Sequence, residues 1–545
     1  MSYNLIAFSN FNFDRGVYTL KRKRIVASLI ILIICLGCIV SGFMIKHLLH
    51  EYKELGNAPV SLSDEQKLED FEQFYDLMCK EAPFLDDVKE TYGIDFVANK
   101  DYYEGKILST KTDVEFLSTM NAICMDVCSY HTNLTVPHPE AIKDNFEYPR
   151  SLNLISKFIT KKKLKSWEKK IRDEASKYNI SDFVDAVYYD GCYYCFDSDL
   201  ISEDKDKCVD LELIEINGRE PKDFLLDGIY WARISYDEKR DVIYRSYVTF
   251  NKLAGEPVNT VWKDESGEIY EKELYYSISC EMLSDYGFLF NDSLIPYPIV
   301  KDKSKVYHYC DEDNEVDYVS IKSFMSGETE VKKALKNIKY DNVIIDLRNN
   351  SGGKYDFGER FVYPYLYSKD VSFTDYWKES VDYGDRSHLS HIVNRIQDNG
   401  EDEKYCYFRR DYKMKGKIKS PKNVVYLVNS GSGSATDAYV AHIKDNNLGV
   451  IIGSTTGGEG KAGPVIHGKL NNSGLLFSFF YSIRCDENGN SIYSRGTEPD
   501  IQITWTKEDN DNWLVYRKEG THKEYKNMLE FDPVLNRAIE YFNGE

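Results

Sequence analysis

A chain of 545 residues is longer than one ordinary domain and sets an expectation of about three folded units. A hydrophobic fraction of 42% is ample for a large buried core. The net charge of −20 excludes a basic nucleic-acid-binding stripe beyond the N-terminus, so no nucleic-acid partner is expected.

The one segment without globular character comes first. Ile25 to Met44 (IVASLIILIICLGCIVSGFM) runs for 20 residues without a charge, about the length that spans a bilayer. Lys21, Arg22, Lys23 and Arg24 stand directly before it, which predicts residues 1–24 in the cytoplasm and the rest of the chain outside. A cleaved signal peptide is the competing reading, but the apolar run is long and lacks an Ala-x-Ala site. Cys38 after Leu36-Gly37 resembles a lipoprotein site only faintly. The expected arrangement is a single-pass signal anchor at residues 25–44 in the cell membrane, followed by a juxtamembrane stalk at 45–61.

Residues 62–183 read as a helical region. Ser63 with Gln66 forms a capping-box pattern ahead of a helix with Leu68, Phe71, Tyr75 and Met78 on one face. Thr112 and Glu115 repeat the signal, and Val114, Leu117, Met120, Cys124 and Val127 follow at helical spacing. That helix is expected to end near Tyr130-His131-Thr132. From about Val184 to Ile278 the pattern turns to short strands, with an Asn-Gly turn after Leu211 to Ile216 and a hairpin over Val258 to Tyr276. Residues 184–282 therefore read as a small inserted β-rich domain. In residues 283–545, strands and helices alternate through Asp317 to Ile321, Val331 to Ile338, Val343 to Leu347 and Asp356 to Tyr367, which favours an α/β core. Glu379 to Lys404 reads as an exposed loop.

Twelve cysteines are present, and all but Cys35 and Cys38 lie beyond the apolar run. An oxidising exterior would allow disulfides, but connectivity is not legible in sequence. Cys192-Tyr-Tyr-Cys195 lacks the second pair that zinc would need, so a local disulfide or two buried thiols is expected. Cys124, Cys128 and His131 share one helical face, yet no fourth metal ligand is apparent and core packing explains the spacing more simply.

Two strand–turn–helix junctions carry the chemistry. Asn342 to Tyr355 (NVIIDLRNNSGGKY) ends a buried strand at Asp346-Leu347-Arg348, and Gly352-Gly353 lets backbone amides approach a ligand closely. Asn423 to Asp437 (NVVYLVNSGSGSATD) is an apolar strand that breaks into small residues and opens a helix. A serine there is exposed at a helix N-terminus, where N–H groups can stabilise an oxyanion.

Asp346 to Gly353, then Ser432-Gly433-Ser434-Ala435-Thr436-Asp437, then Gly453 with Thr456-Gly457-Gly458, then Gly496 to Ile501 resemble, in order and spacing, the C-terminal processing (tail-specific) serine peptidases and their tricorn-like relatives. The similarity runs from about residue 62 to about 505. It implies a crotonase/ClpP-like ββα core, with the strand-rich insertion as the PDZ-like domain that such proteases use to hold substrate chain ends. The family's nucleophile maps onto Ser434, with Thr436 and Asp437 replacing the usual serine and glutamate. By the same resemblance the oxyanion hole would come from Gly352 or Gly353 and from Ala435.

The resemblance leaves two bases. In the processing branch a lysine follows the serine by about 25 residues; Glu459 occupies the aligned position and Lys461 is the nearest lysine. The tricorn-like branch uses a histidine from the N-terminal region, matched here by His131. Histidine titrates near neutral pH without the desolvation a lysine requires, which favours His131. The third member of the triad is not assigned; Glu498 and Asp437 are the fallback orienters.

The expectation is a membrane-anchored, extracytoplasmic serine endopeptidase acting on protein or peptide substrates, without metal or organic cofactor, its homo-oligomeric state left open. The alternative is a catalytically impaired relative serving as a peptide- or ligand-binding ectodomain. An α/β-hydrolase esterase using His442, His467 or His522 is weaker, because the turn at Ser434 does not fit Gly-x-Ser-x-Gly.

Overall fold

The computed structural model describes residues 61–135, 154–179, 183–196, 209–226, 234–282, 305–380 and 400–544, apart from isolated positions within them. The chain divides into two units. One comprises 1–61 and 151–163, of which Ser61 and residues 154–163 are described; the other comprises 62–150 and 164–545 and carries everything below. Among the described residues no helix is long and apolar enough to cross a membrane, and the apolar run 25–44 lies outside them.

The expected capping boxes are both formed. Ser63 Oγ accepts from Gln66 N–H at the start of helix Asp64–Glu81, and Thr112 Oγ1 accepts from Glu115 N–H at the start of helix Asp113–Met125. Each reciprocal pair satisfies backbone donors that a helix start leaves unpaired.

At the centre lies a sheet of six strands in the order Val306–Asp311, Val316–Ile321, Asn342–Asp346, Asn423–Val428, Val450–Gly453 and Ile501–Gln502. The first pair is antiparallel and the rest are parallel. Strand periodicity sends alternate side chains to opposite faces. Val343, Ile345, Val424, Tyr426 and Val428 pack with Val331, Tyr439 and Val440 of helices Glu328–Lys336 and Ala435–Asp445. Ile344, Val425 and Leu427 pack instead with Met528, Leu535 and Ala538 of the C-terminal helices Tyr525–Phe531 and Pro533–Asn543. The α/β expectation for this region is met.

The strand-rich insertion closes into a barrel of six strands spanning Phe183 to Tyr276, with Ala186, Leu211, Val248 and Trp262 inside it. The expected hairpin forms between Glu256–Lys263 and Ile269–Tyr276, and Asn217-Gly218 turns with both φ positive. Cys192 and Cys195 are free thiols, not a disulfide.

Two segments depart from expectation. Residues 356–367 form a wide π-type turn at Gly358–Val362 and a tight turn at Tyr363–Tyr365, not a regular α-helix. Pro364 cannot donate within a helix, and Gly358 lies so close to the Tyr439 ring that an added Cβ would meet it at 2.3 Å. Glu379 and Ser380 are not part of an exposed loop: they are buried at the end of strand Val371–Ser380, which pairs antiparallel with Tyr405–Met414.

Candidate active site

Strand Asn423–Val428 is buried from Val424 onward, and its last residues lead into a small-residue turn. Ser432 pins that turn, since its hydroxyl donates to Leu347 C=O at 2.8 Å on the neighbouring strand end. Ser434 follows with φ 53° and ψ −125°, a conformation that costs a non-glycine residue about 1–3 kcal/mol. The neighbours that hold it there are explicit. Ser434 N–H donates to Gly458 C=O at 2.9 Å, and Ser434 C=O accepts from Ala438 N–H at 2.9 Å in the first turn of the helix. The strain turns the Ser434 hydroxyl out of the strand line at the positive end of helix Ala435–Asp445.

The second junction lies against the first. Asn350 is buried, accepts Gly433 N–H at its carbonyl (3.0 Å) and donates through Nδ2 to Ile321 C=O (2.9 Å). Gly352 has φ +100°, and a Cβ there would stand 2.8 Å from Ala435 N, Gly433 O and Ser434 Cβ. Only glycine fits both the dihedral and the space. Gly352 N–H donates to Asn350 Oδ1 at 3.0 Å, so it is already engaged and is not a free oxyanion donor. The N–H groups of Gly353 and Ala435 donate no hydrogen bond among the described residues.

His131 reaches this junction from the helical region. After helix Asp113–Met125, Ser129 Oγ accepts the N–H groups of His131 and Thr132, each at 3.2 Å, turning the chain. Asn133–Thr135 then pairs antiparallel with Leu476–Phe480, and Ser478 Oγ donates to His131 C=O at 2.8 Å. The hairpin that supplies Ser478 is itself locked to the helices: Asp70 accepts Asn472 and Ser473 N–H, each at 2.8 Å, and Trp167 Nε1 donates to Ser473 C=O at 3.1 Å. Phe477, Phe479 and Phe480 bury with Phe74, Phe84 and Leu117 in one core.

The result brings His131 Nε2 to 3.0 Å from Ser434 Oγ, hydrogen-bond distance for proton transfer. The imidazole remains 34% exposed, so the pair is accessible from solvent. Glu459 Oε2 lies 3.5 Å from the same ring nitrogen, and this carboxylate is 4% exposed. Glu459 adopts φ 65° next to Gly458, the residue that grips the Ser434 backbone. One loop thus fixes the serine and delivers an acid to the histidine.

His131 is in contact with Ser434, and Gly352 packs against the backbone of Gly433 and Ala435 and against Ser434 Cβ, with Gly353 the next residue along the loop. Lys461 lies outside the described residues. The fallback acids are elsewhere: Asp437 is buried and accepts from Thr456 Oγ1, Gly460 N–H and Thr497, holding the glycine loop to the helix. Glu498 is exposed, and its carbonyl accepts from Lys444 Nζ. His442 faces Glu359 and Asp375. Glu459 is the residue that sequence reasoning did not assign to the histidine. Its signal was present, as an acid between glycines at the position where the processing branch carries lysine.

A hydroxyl raised on a strained strand–helix turn, an imidazole at hydrogen-bond distance and two amides without an intramolecular acceptor among the described residues are the parts that serine-type peptidase chemistry requires, here carried on an α/β fold. Residues 315–503 match the profile of Peptidase family S41. A Staphylococcus haemolyticus protein named "Probable CtpA-like serine protease" is 23% identical over 264 residues, 44% of this chain and 47% of that one. The chain thus spans about half the length of this curated relative. Among solved structures, a crystal structure of a CPAF mutant overlaps with TM-score 0.50 at 13% identity, covering 87% of this chain and 98% of that one. The photosystem II D1 C-terminal processing protease overlaps with TM-score 0.32 at 15% identity, covering 85% and 97%. Residues 315–503 of the chain are thus similar to Peptidase family S41, and the chain resembles a CtpA-like serine protease over less than half its length.

Proposed function

We propose that the chain is a serine endopeptidase of the tail-specific processing type, anchored by Ile25 to Met44 in the cell membrane with its peptidase region on the outer side. The observation that carries the peptidase reading is the 3.0 Å separation of His131 Nε2 and Ser434 Oγ. The anchor and its orientation rest on the uncharged run and on Lys21 to Arg24 before it.

In this reading Ser434 Oγ attacks the scissile carbonyl carbon while its proton passes to His131 Nε2. Ala435 N–H and Gly353 N–H receive the developing oxyanion, the former reinforced by the helix N-terminus. The Glu459 carboxylate, 3.5 Å from Nε2, stabilises the imidazolium by its charge. His131 then returns the proton to the leaving amine nitrogen as the C–N bond breaks, leaving an acyl ester on Ser434. Water attacks the ester with His131 as base, and the released serine oxygen regains its proton from the imidazolium. No metal or organic cofactor enters these steps. The six-stranded barrel at 183–276 is the segment we assign to holding substrate chain ends, in the manner of a PDZ-like domain.

The test is active-site labelling of the folded full chain with a fluorophosphonate probe, together with turnover of peptides bearing a free C-terminus. Labelling at Ser434 and turnover that both vanish in Ser434→Ala are expected. Peptide binding without turnover or labelling in the wild type would overturn the reading in favour of a binding ectodomain.

A further inference from the structure

Arg348 stands four residues before Gly352, at the root of the loop that supplies the proposed oxyanion donor, and its guanidinium is buried. One edge faces its own strand end: Nε donates to Asp346 Oδ1 at 3.0 Å and Nη2 to Asp346 Oδ2 at 2.7 Å. The other edge faces the far end of the chain. Nη1 donates to Asp532 Oδ1 at 2.9 Å, and Nη2 lies 2.7 Å from Asp532 Oδ2. The planar fork of arginine makes both pairings directional, so the two carboxylates together fix its plane and position.

Asp532 lies beyond residues 315–503, the stretch that matches the peptidase family. It also caps helix Pro533–Asn543, accepting Val534 and Leu535 N–H at 3.1 Å each. A single carboxylate therefore joins the last helix to the oxyanion loop. Without it, one edge of a buried guanidinium would lose its partner, a costly state that the loop can relieve only by moving.

We propose that Asp532 is a positioning residue for catalysis, holding Arg348 and through it the Asn349 to Gly353 loop against Ser434. This inference rests on the peptidase reading above. It makes turnover depend on the C-terminal helix as well as on the family-matched core.

Asp532→Asn in the full chain separates the two roles of the side chain, since the amide oxygen still caps the helix while the charge facing Arg348 is gone. A displacement of about 1 Å at reacting groups can cost on the order of 100-fold, so kcat should fall by about tenfold or more with KM held within about twofold. A peptide aldehyde of the same sequence, whose hemiacetal oxygen needs the oxyanion donors, should lose affinity by the same factor as kcat/KM. Asp532→Glu should recover part of both. A folded Asp532→Asn protein with unchanged kcat and aldehyde affinity would overturn the proposal and leave Asp532 a helix cap alone. If Asp532→Asn does not fold, Asp532→Ser, which keeps a capping oxygen and removes the charge facing Arg348, is read by the same two measurements, with unchanged values again overturning it. A wild-type chain that is neither labelled at Ser434 nor active defeats the peptidase reading and this inference with it; an active wild type with an unaffected variant defeats only the inference.

Discussion

His131 Nε2 and Ser434 Oγ stand 3.0 Å apart although 303 positions separate them in the chain. The contact crosses from the helical region to the α/β core, and the hairpin Val465–Lys469 with Leu476–Phe480 makes it possible by pairing with Asn133–Thr135. If this histidine is the base, His131→Ala should lower kcat by about 10²–10⁴-fold, the range of a positioned general base. KM should change little. Lys461→Ala should keep activity within about twofold. Steady-state kinetics on one peptide decides the matter, and the reverse pattern would assign the base to Lys461.

Glu459 supplies the second prediction. Its carboxylate is buried beside the Ser434–His131 contact, 3.5 Å from Nε2, where it opposes the charge that forms on the ring during turnover. Glu459→Gln keeps the shape and removes that charge. A fall in kcat of about tenfold or more is expected, with thermal stability little changed, because the effect appears only when the imidazolium forms. Equal loss of substrate affinity and kcat/KM, with kcat intact, would instead place Glu459 in substrate binding.

Gly352→Ala should be among the most damaging small substitutions in the chain. The new methyl would meet Ala435 N, Gly433 O and Ser434 Cβ at 2.8 Å, all backbone or backbone-fixed atoms, on a φ of +100° that alanine resists. Fluorophosphonate labelling of Ser434 should be lost or slowed by about 100-fold or more, the scale on which oxyanion geometry acts. Gly105→Ala, in a helix with open space around that residue, serves as the control and should leave labelling unaltered.

Much of this arrangement is legible in the amino-acid sequence because local chemistry and tertiary packing agree there. Ser63 with Gln66 and Thr112 with Glu115 start their helices, and the alternation of Val424, Tyr426 and Val428 against Val425 and Leu427 matches a sheet covered on both faces. The Ser434 and Gly352-Gly353 junctions are legible as turns for the same reason. Glu459 is not, because its relation to His131 arises from a glycine loop folding back on a distant segment. Nor is the double use of Arg348: Asp346 is its near neighbour in sequence, whereas Asp532 is 184 positions away. The buried Glu379 reads as solvent-exposed because its charge is visible in the sequence and its surroundings are not. Residues 356–367 do not form one regular helix: Pro364 cannot donate within it, and the Tyr439 ring packs so closely on Gly358 that no side chain fits there.

His442 gives the chain a pH-dependent element away from Ser434. It is buried on helix Ala435–Asp445, with Nδ1 3.0 Å from Glu359 Oε1 and Nε2 3.6 Å from Asp375 Oδ2. Asp375 is shared with Arg484 at 2.5 Å and accepts from Tyr355 OH at 3.2 Å. Burial alone would disfavour the imidazolium, but the Asp375 and Glu359 carboxylates outweigh it and raise the pKa above the ordinary 6.5. A pKa raised by folding means that the folded state holds this proton more tightly than the unfolded chain. The stabilisation is therefore complete below about pH 6.5 and is lost as pH rises through the folded value. His442→Gln removes the charge at every pH. The Tm difference between wild type and variant should be largest below pH 6.5, equivalent to about 3 kcal/mol for a broken buried pair, and should shrink as pH rises. Taking the difference cancels the titrating groups that do not contact His442, which leaves the coupled set of His442, Glu359 and Asp375. Thermal melts across pH 5 to 9 test this, and a difference that grows with pH would mean that His442 is buried neutral.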